Sequence, residues 1–249
     1  MADYDFRTPR LFVEGPLSVG ETRTLEREQS HYLTHVLRLG TGDRILVFDG
    51  EAGEFLAELG AAGKKTVSLS LLRQTRPQTP AGMIDYLFAP LKHARLDYMV
   101  QKAVEMGAGR LQPVRTSRTQ TTRINLDRMR ANAIEAAEQC GILTIPTIAD
   151  EVRFDRLIGA WDPDRTIIFC DERAETQSPL VALDRVKPGP MAVLIGPEGG
   201  FSDEERDMLQ RLPSVVRLSL GPRILRADTA AVAALALVQA RLGDWGHPA

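Results

Sequence analysis

The feature that most limits how this chain can fold is the run Ala192-Val193-Leu194-Ile195, followed at once by Gly196-Pro197-Glu198-Gly199-Gly200. Four consecutive apolar residues leave no face for water, so a strand made from them must be covered on both sides, as in a parallel sheet flanked by helices. The glycines let the backbone turn sharply and approach a ligand closely, and Pro197 stiffens the turn. Ser202 and Glu205 have the spacing of a capping box, which predicts a helix starting at Ser202. A strand, a glycine loop and a helix start at the carboxyl end of a sheet make a small-molecule site.

A second arrangement of the same kind lies downstream in LSLGPRILRADT, residues 218–229. It reads as a strand end, a turn at Gly221 and Pro222, and a helix capped by Asp228 or Thr229. Neither loop is a P-loop or a GxGxxG dinucleotide turn. Backbone groups from two such loops, with Leu194, Ile195, Leu218, Leu220, Ile224 and Leu225 as apolar walls, suit an adenosine. The closing helix, from about residue 229 to 241, is rich in alanine, so another helix or a sheet can come close to it.

The rest of the chain divides by pattern. Residues 11–72 are β-rich, with strand-type runs in LFVEG, RILVFDG, GEFLAELG and KTVSLSLL, and suggest a small barrel. One helix is expected there, from Glu28 to Leu37 with a stop at Gly40. The proline- and glycine-containing stretch from Leu72 to Gly82 places the domain division between residues 73 and 74. Beyond it strands and helices alternate, as an α/β sheet requires. Strands are expected at 84–89, 111–114, 167–170, 192–195 and 215–220, with helices at 94–106 and from an Asn125 cap to an inward-facing Cys140. Cys140 and Cys170 lack metal-site or redox spacing and read as buried thiols.

Charge narrows the partner. The formal net charge is −2, which argues against general nucleic-acid coating. Arg110, Arg115, Arg118, Arg123, Arg128 and Arg130 nevertheless form a basic segment interrupted only by Asp127. That pattern fits either a specific phosphate partner or a solvated helix face with paired arginines. No apolar run reaches membrane-spanning length and the first ten residues lack a signal-peptide core, so a cytoplasmic protein is expected.

The motifs HYLTHVLRLGTGD, DYMVQKAVEMGAGRLQPV, AIEAAEQCG, GPEGGFSDEE and LGPRILRADTA, in this order over nearly the whole chain, resemble the bacterial RsmE family of ribosomal RNA methyltransferases. The resemblance implies methylation of N3 of a uridine in 16S rRNA of the small subunit. It implies a SPOUT-class α/β domain with a trefoil knot at about residues 190–230, spanning 74–249, after a PUA-like RNA-binding barrel at 1–73. It also implies a homodimer and S-adenosylmethionine as cofactor, with no metal. The implied cofactor contacts are Leu194, Ile195, Gly196, Gly199 and Gly200 in the first loop and Leu218, Leu220, Gly221, Ile224 and Leu225 in the second. Arg226 is the candidate cation for a uracil oxyanion and Glu198 the candidate proton acceptor. Arg10, His31, Arg38, Lys92, Arg115, Arg118 and Arg123 are the RNA-binding candidates. The chain departs from the family pattern at Asp228, Ile142 and the TSRTQ segment. A catalytically inactive RNA-binding or ribosome-assembly factor of the same fold is the alternative.

Overall fold

The computed structural model describes residues 5, 7–61, 63, 66–92, 94–120, 123–174, 178–187 and 189–246. Lys65, the first residue of the expected strand KTVSLSLL, and part of the N-terminal decapeptide fall outside them. Two units are formed, one from Met1–Pro80 with Ala137–Ile145 and the other from Ala81–Ala136 with Pro146–Ala249.

The first unit holds β1 (Arg10–Phe12), β2 (Thr22–Thr24), α1 (Arg27–His31), β3 (Arg44–Phe48), β4 (Glu54–Ala61) and β5 (Val67–Arg76). They make a five-stranded sheet in the order β1-β3-β4-β5-β2. Alternate residues of β4 and β5 bury Phe55, Ala57, Leu59, Val67, Leu69 and Leu71 in one apolar cluster. The sequence ends this strand region near Leu72, but β5 continues to Arg76 because Arg73, Gln74 and Arg76 pair with Leu56, Phe55 and Glu54 of β4. Cross-strand hydrogen bonding overrides the local loss of pattern. Glu54 then receives Arg76, Arg10 and the Thr75 hydroxyl on one buried carboxylate.

The helix expected at 28–37 is present with a different geometry. After α1 the chain widens into a π-turn over Tyr32–Val36, with Leu37 N–H donating to the Tyr32 carbonyl. The stop falls on Arg38, not Gly40: Arg38 takes a left-handed φ of 58° while Leu39 N–H closes back on Leu33.

The second unit is built on parallel strands, as the apolar runs require. It contains β6 (Ile84–Phe88), α2 (Ala94–Glu105), β7 (Ala108–Arg115), α3 (Leu126–Cys140, whose last turn from Ala137 counts with the first unit), β8 (Thr147–Ile148), β9 (Val152–Arg153), α4 (Phe154–Gly159) and β10 (Thr166–Cys170). It continues through α5 (Pro179–Leu183), β11 (Met191–Ile195), α6 (Asp203–Gln210), β12 (Val215–Leu218) and α7 (Ala227–Leu242). The order is β12-β10-β11-β6-β7-β8, with β9 also on β7, and every pairing is parallel. Every residue of β11 is buried. The alanine-rich α7 packs on α2, α5 and β11, burying Ala231, Ala234, Leu235 and Val238.

α3 starts where Asn125 accepts the Arg128 N–H, and buries Met129, Ala133 and Ala137. Cys140 corrects the expectation: it is exposed, because the buried stripe ends at Ala137. Cys170 is the enclosed thiol, and burial pushes its pKa up to about 12. The short elements β2, β8, β9, α4 and α5 carry too few residues for a periodic signal.

Candidate active site

In the sheet, β10 lies between β11 and β12, with Phe169 beside Leu194 and Cys170 beside Leu218. The loops after β11 and β12 therefore leave the same edge, one strand apart on either side of the end of β10. At the usual strand spacing this separates them by about 10 Å. Parallel pairing brings together two segments that the sequence keeps more than twenty residues apart.

The first loop is held from below and from one side. A Cβ on Gly196 would stand 2.5 Å from the ring of Phe201, which is itself buried against Phe169 and Phe154. Gly200 needs a left-handed φ of 67°, and its N–H closes the turn on the Pro197 carbonyl. The expected capping box is formed: Ser202 Oγ accepts from Glu205 N–H at 3.2 Å and Glu205 accepts from Ser202 N–H at 2.9 Å. Glu205 also accepts the Ser117 N–H at 2.7 Å, and Arg118 donates to the Gly199 carbonyl at 2.7 Å. The TSRTQ segment thus fixes the glycine loop.

Behind that loop lies a buried charge network that local sequence does not signal. Asp171, at the end of β10, accepts from Arg206 of α6 and from Arg217 of β12, and Arg206 also reaches Glu172. Burial, reinforced by the charges of Arg217 and Arg118, pulls the Arg206 guanidinium below its ordinary pKa. The pairing joins the roots of both loops.

The second loop turns at Gly221, with φ 96°, and Ser219 Oγ accepts the Gly221 N–H at 3.4 Å. The N-cap of α7 is Arg226, so Asp228 and Thr229 lie inside the first turn instead of capping it. There the Asp228 carboxylate sits favourably near the helix N-terminus. Arg226 is exposed.

Arg95, which the sequence reading did not single out, links the two loops. It lies 3.4 Å from Oε1 of Glu198 and 3.9 Å from Oδ2 of Asp228. Tyr86 was missed as well. It is wholly buried in β6, its hydroxyl has no hydrogen-bond partner among the described residues, and burial, with Cys170 and Asp228 nearby, pushes it well above the ordinary tyrosine pKa. No local pattern marks either residue, since the surroundings of both come from distant segments.

The apolar candidates separate. Leu194 and Leu218 are fully buried and Ile195 nearly so. Leu194 packs in the core with Phe169 and Phe201, so it offers a ligand its main chain rather than a side-chain wall. Leu220 and Leu225 are half-buried, while Ile224 is 97% exposed and forms no wall within a single chain. Adenosyl binding nevertheless fits this edge. Gly196 lacks the Cβ that would strike Phe201 and deform the turn, and the space a Gly221 Cβ would take is open to 4 Å.

Among the RNA-binding candidates, Arg10 is held by Glu54 with its side chain only 5% exposed, which withdraws it from the surface. Arg115 pairs with Glu151 at 2.5 Å and Arg118 with the glycine loop. His31 stacks on His35 with centroids 4.4 Å apart, beside a cavity of about 590 Å³ in the first unit. Arg38, Lys92 and Arg123 are exposed. The basic segment is therefore mixed: Arg128 also pairs, with Asp97, and Arg123 makes no ion pair among the described residues. No metal-binding group of His, Cys, Asp or Glu occurs, and no helix is long and apolar enough to cross a membrane, among the described residues.

The chain combines a parallel sheet that carries paired glycine loops with a β-rich unit, and family models put it in the RNA methyltransferase class. The RNA methyltransferase domain model matches residues 77–239 and the RNA methyltransferase PUA domain model matches residues 25–72. Ribosomal RNA small subunit methyltransferase E of Synechocystis is 31% identical over 94% of this chain and 78% of its own, and that of Rickettsia conorii is 29% identical over 92% and 94%. The Neisseria gonorrhoeae methyltransferase E, solved bound to S-adenosyl methionine, aligns with a TM-score of 0.84 at 27% identity over 96% of this chain and all of its own. A Legionella pneumophila protein solved with bound cofactor SAM gives 0.83 at 30% identity over 94% and 98%. The chain belongs to the ribosomal RNA small subunit methyltransferase E family.

Proposed function

We propose that this protein uses S-adenosylmethionine to methylate N3 of a uridine in the 16S rRNA of the small ribosomal subunit. The observation that carries the reading is the meeting of the two glycine loops at one sheet edge, around the end of β10. Main-chain groups of Ile195, Gly196, Gly199 and Gly200 and of Leu218, Leu220 and Gly221 hold the cofactor, with Leu225 beside them. The bound cofactor supplies an electrophilic methyl group on a sulfonium.

Uridine N3 carries a proton, and alignment alone does not remove it. Glu198, on the loop facing that edge, takes the N3 proton, and Arg95 fixes the position of its carboxylate. Arg226 offsets the negative charge that the uracil oxygens gain as the proton leaves.

In this reading the segment from residue 190 to 230 forms the SPOUT trefoil knot and the active form is a homodimer, which gives the exposed Ile224 a partner surface. The PUA-like β-rich unit carries RNA to the methyltransferase domain, with the assembled small subunit in the cytoplasm as substrate. His31, Arg38, Lys92 and Arg123 contact RNA.

The deciding experiment incubates the protein with labelled S-adenosylmethionine and undermodified small subunits, then maps the modified nucleotide. Methyl label at uridine N3 is expected. Label at another base or at ribose sinks the specificity, and absence of both transfer and cofactor binding favours an inactive assembly factor.

A further inference from the structure

The second unit contains a cavity of about 790 Å³ at the carboxyl ends of β6 and β7, within the range of small-molecule sites. In the sheet β6 lies directly beside β11, the strand that leads into the first glycine loop. Both its walls are tied to that loop. On one wall Lys92 and Leu96 flank Arg95, which pairs with Glu198; on the other Gln120 follows Arg118, which donates to Gly199.

The lining has a definite chemistry. Leu91, Leu96 and Met129 are buried and give an apolar floor. Gln120 and Asn125 add side-chain amides; Asn125 Oδ1 accepts the Arg128 N–H, which leaves its NH₂ as a donor. At the rim three cations, Lys92, Arg123 and Arg128, meet two carboxylates, Asp97 and Asp127. Arg128 and Asn132 both bond Asp97, so that acid is neutralised internally. Lys92 and Arg123 make no ion pair among the described residues.

An apolar floor for a flat ring, amides for its polar edge and, for phosphate, two cations that make no ion pair among the described residues match a nucleotide. We propose that this cavity seats a nucleotide of the RNA substrate, its base on Leu91, Leu96 and Met129 and its phosphates on Lys92 and Arg123. The inference rests on the methyltransferase reading for its biological meaning, but the binding it asserts can be measured without catalysis.

The test uses the full chain and a fluorescent hexauridylate, with an abasic ribose-phosphate hexamer as control and cofactor titration in parallel. The abasic hexamer should bind about tenfold more weakly, the worth of roughly 60 Å² of apolar burial. The double variant Lys92→Ala/Arg123→Ala should lower hexauridylate affinity and flatten its salt dependence by about two phosphate contacts. Cofactor affinity should not change. In a 4-thiouridine version, crosslinks should map to residues 91–96 or 123–129. Equal binding of the two hexamers removes the base seat. An unaltered affinity and salt slope in the double variant, or crosslinks only elsewhere, overturns the site altogether. Failure of cofactor binding with these nucleotide results intact would count against the methyltransferase reading alone.

Discussion

Arg95 stands 3.4 Å from Oε1 of Glu198, so the first turn of α2 fixes a carboxylate of the glycine loop while remaining 3.9 Å from Asp228 at the start of α7. One guanidinium thus ties together two loops that come from different strands of the sheet. Arg95→Ala should change stability by no more than about 1 kcal/mol, because the pair is partly exposed. Methyl transfer should fall on the order of tenfold through loss of placement, a transition-state cost of about 1.4 kcal/mol. Arg95→Lys should restore part of it, since one charge returns without the planar fork. Steady-state kinetics of the three proteins decide the matter, and an unchanged kcat/KM in Arg95→Ala removes the clasp.

Gly196→Ala tests the shape of the first loop. The added methyl meets the Phe201 ring at 2.5 Å, and that ring is wedged against Phe169 at 5.0 Å between centroids. Overpacking of this kind costs about 1–3 kcal/mol, and here the strain falls on the turn proposed to hold the cofactor. Calorimetric titration should show at least about tenfold weaker S-adenosylmethionine binding. Wild-type affinity in a folded variant would mean that the loop does not need this glycine.

Glu205 holds more than its helix cap. Its carboxylate accepts from Ser202 N–H and from Ser117 N–H, and the residue is buried. Glu205→Ala should cost about 2–3 kcal/mol by leaving those donors unpaired, lowering Tm by roughly 5–10 °C. Glu205→Gln, which keeps an acceptor oxygen, should lose less. Equal losses in thermal melts of the two variants would show that the acceptor is not what matters.

Glu54 makes stability depend on pH. Burial pushes its pKa up, but Arg76, Thr75 and Arg10 outweigh burial and hold it below the ordinary value of 4.5. A carboxylate with a folded-state pKa below its unfolded one stabilises fully above the unfolded value. That contribution is lost as pH falls from there through the folded one. Urea unfolding should therefore show stability declining below about pH 4.5, with a shallower slope in Glu54→Gln. Identical slopes in the two proteins would assign the acid sensitivity to other groups.

Much of the architecture could be read along the chain because it is written in short-range patterns. The buried run Ala192–Ile195 required a two-sided sheet, the S-x-x-E spacing announced the start of α6, and Asn125 marked the start of α3. Burial periodicity and capping depend on neighbours a few residues away, so residue order is enough to reveal them. The ordered motifs added the family and, through it, the cofactor.

Tertiary structure alone decided which residues meet. It set β10 between β11 and β12, joined Arg95 to both loops, gathered Arg206 and Arg217 on Asp171, and buried the Arg10 charge on Glu54. It also turned Leu194 and Leu218 into the core and left Ile224 in solvent. These outcomes depend on strand order and long-range charge pairing. A local pattern shows that an arginine is charged, but its partner is fixed only when distant strands take their places in the sheet.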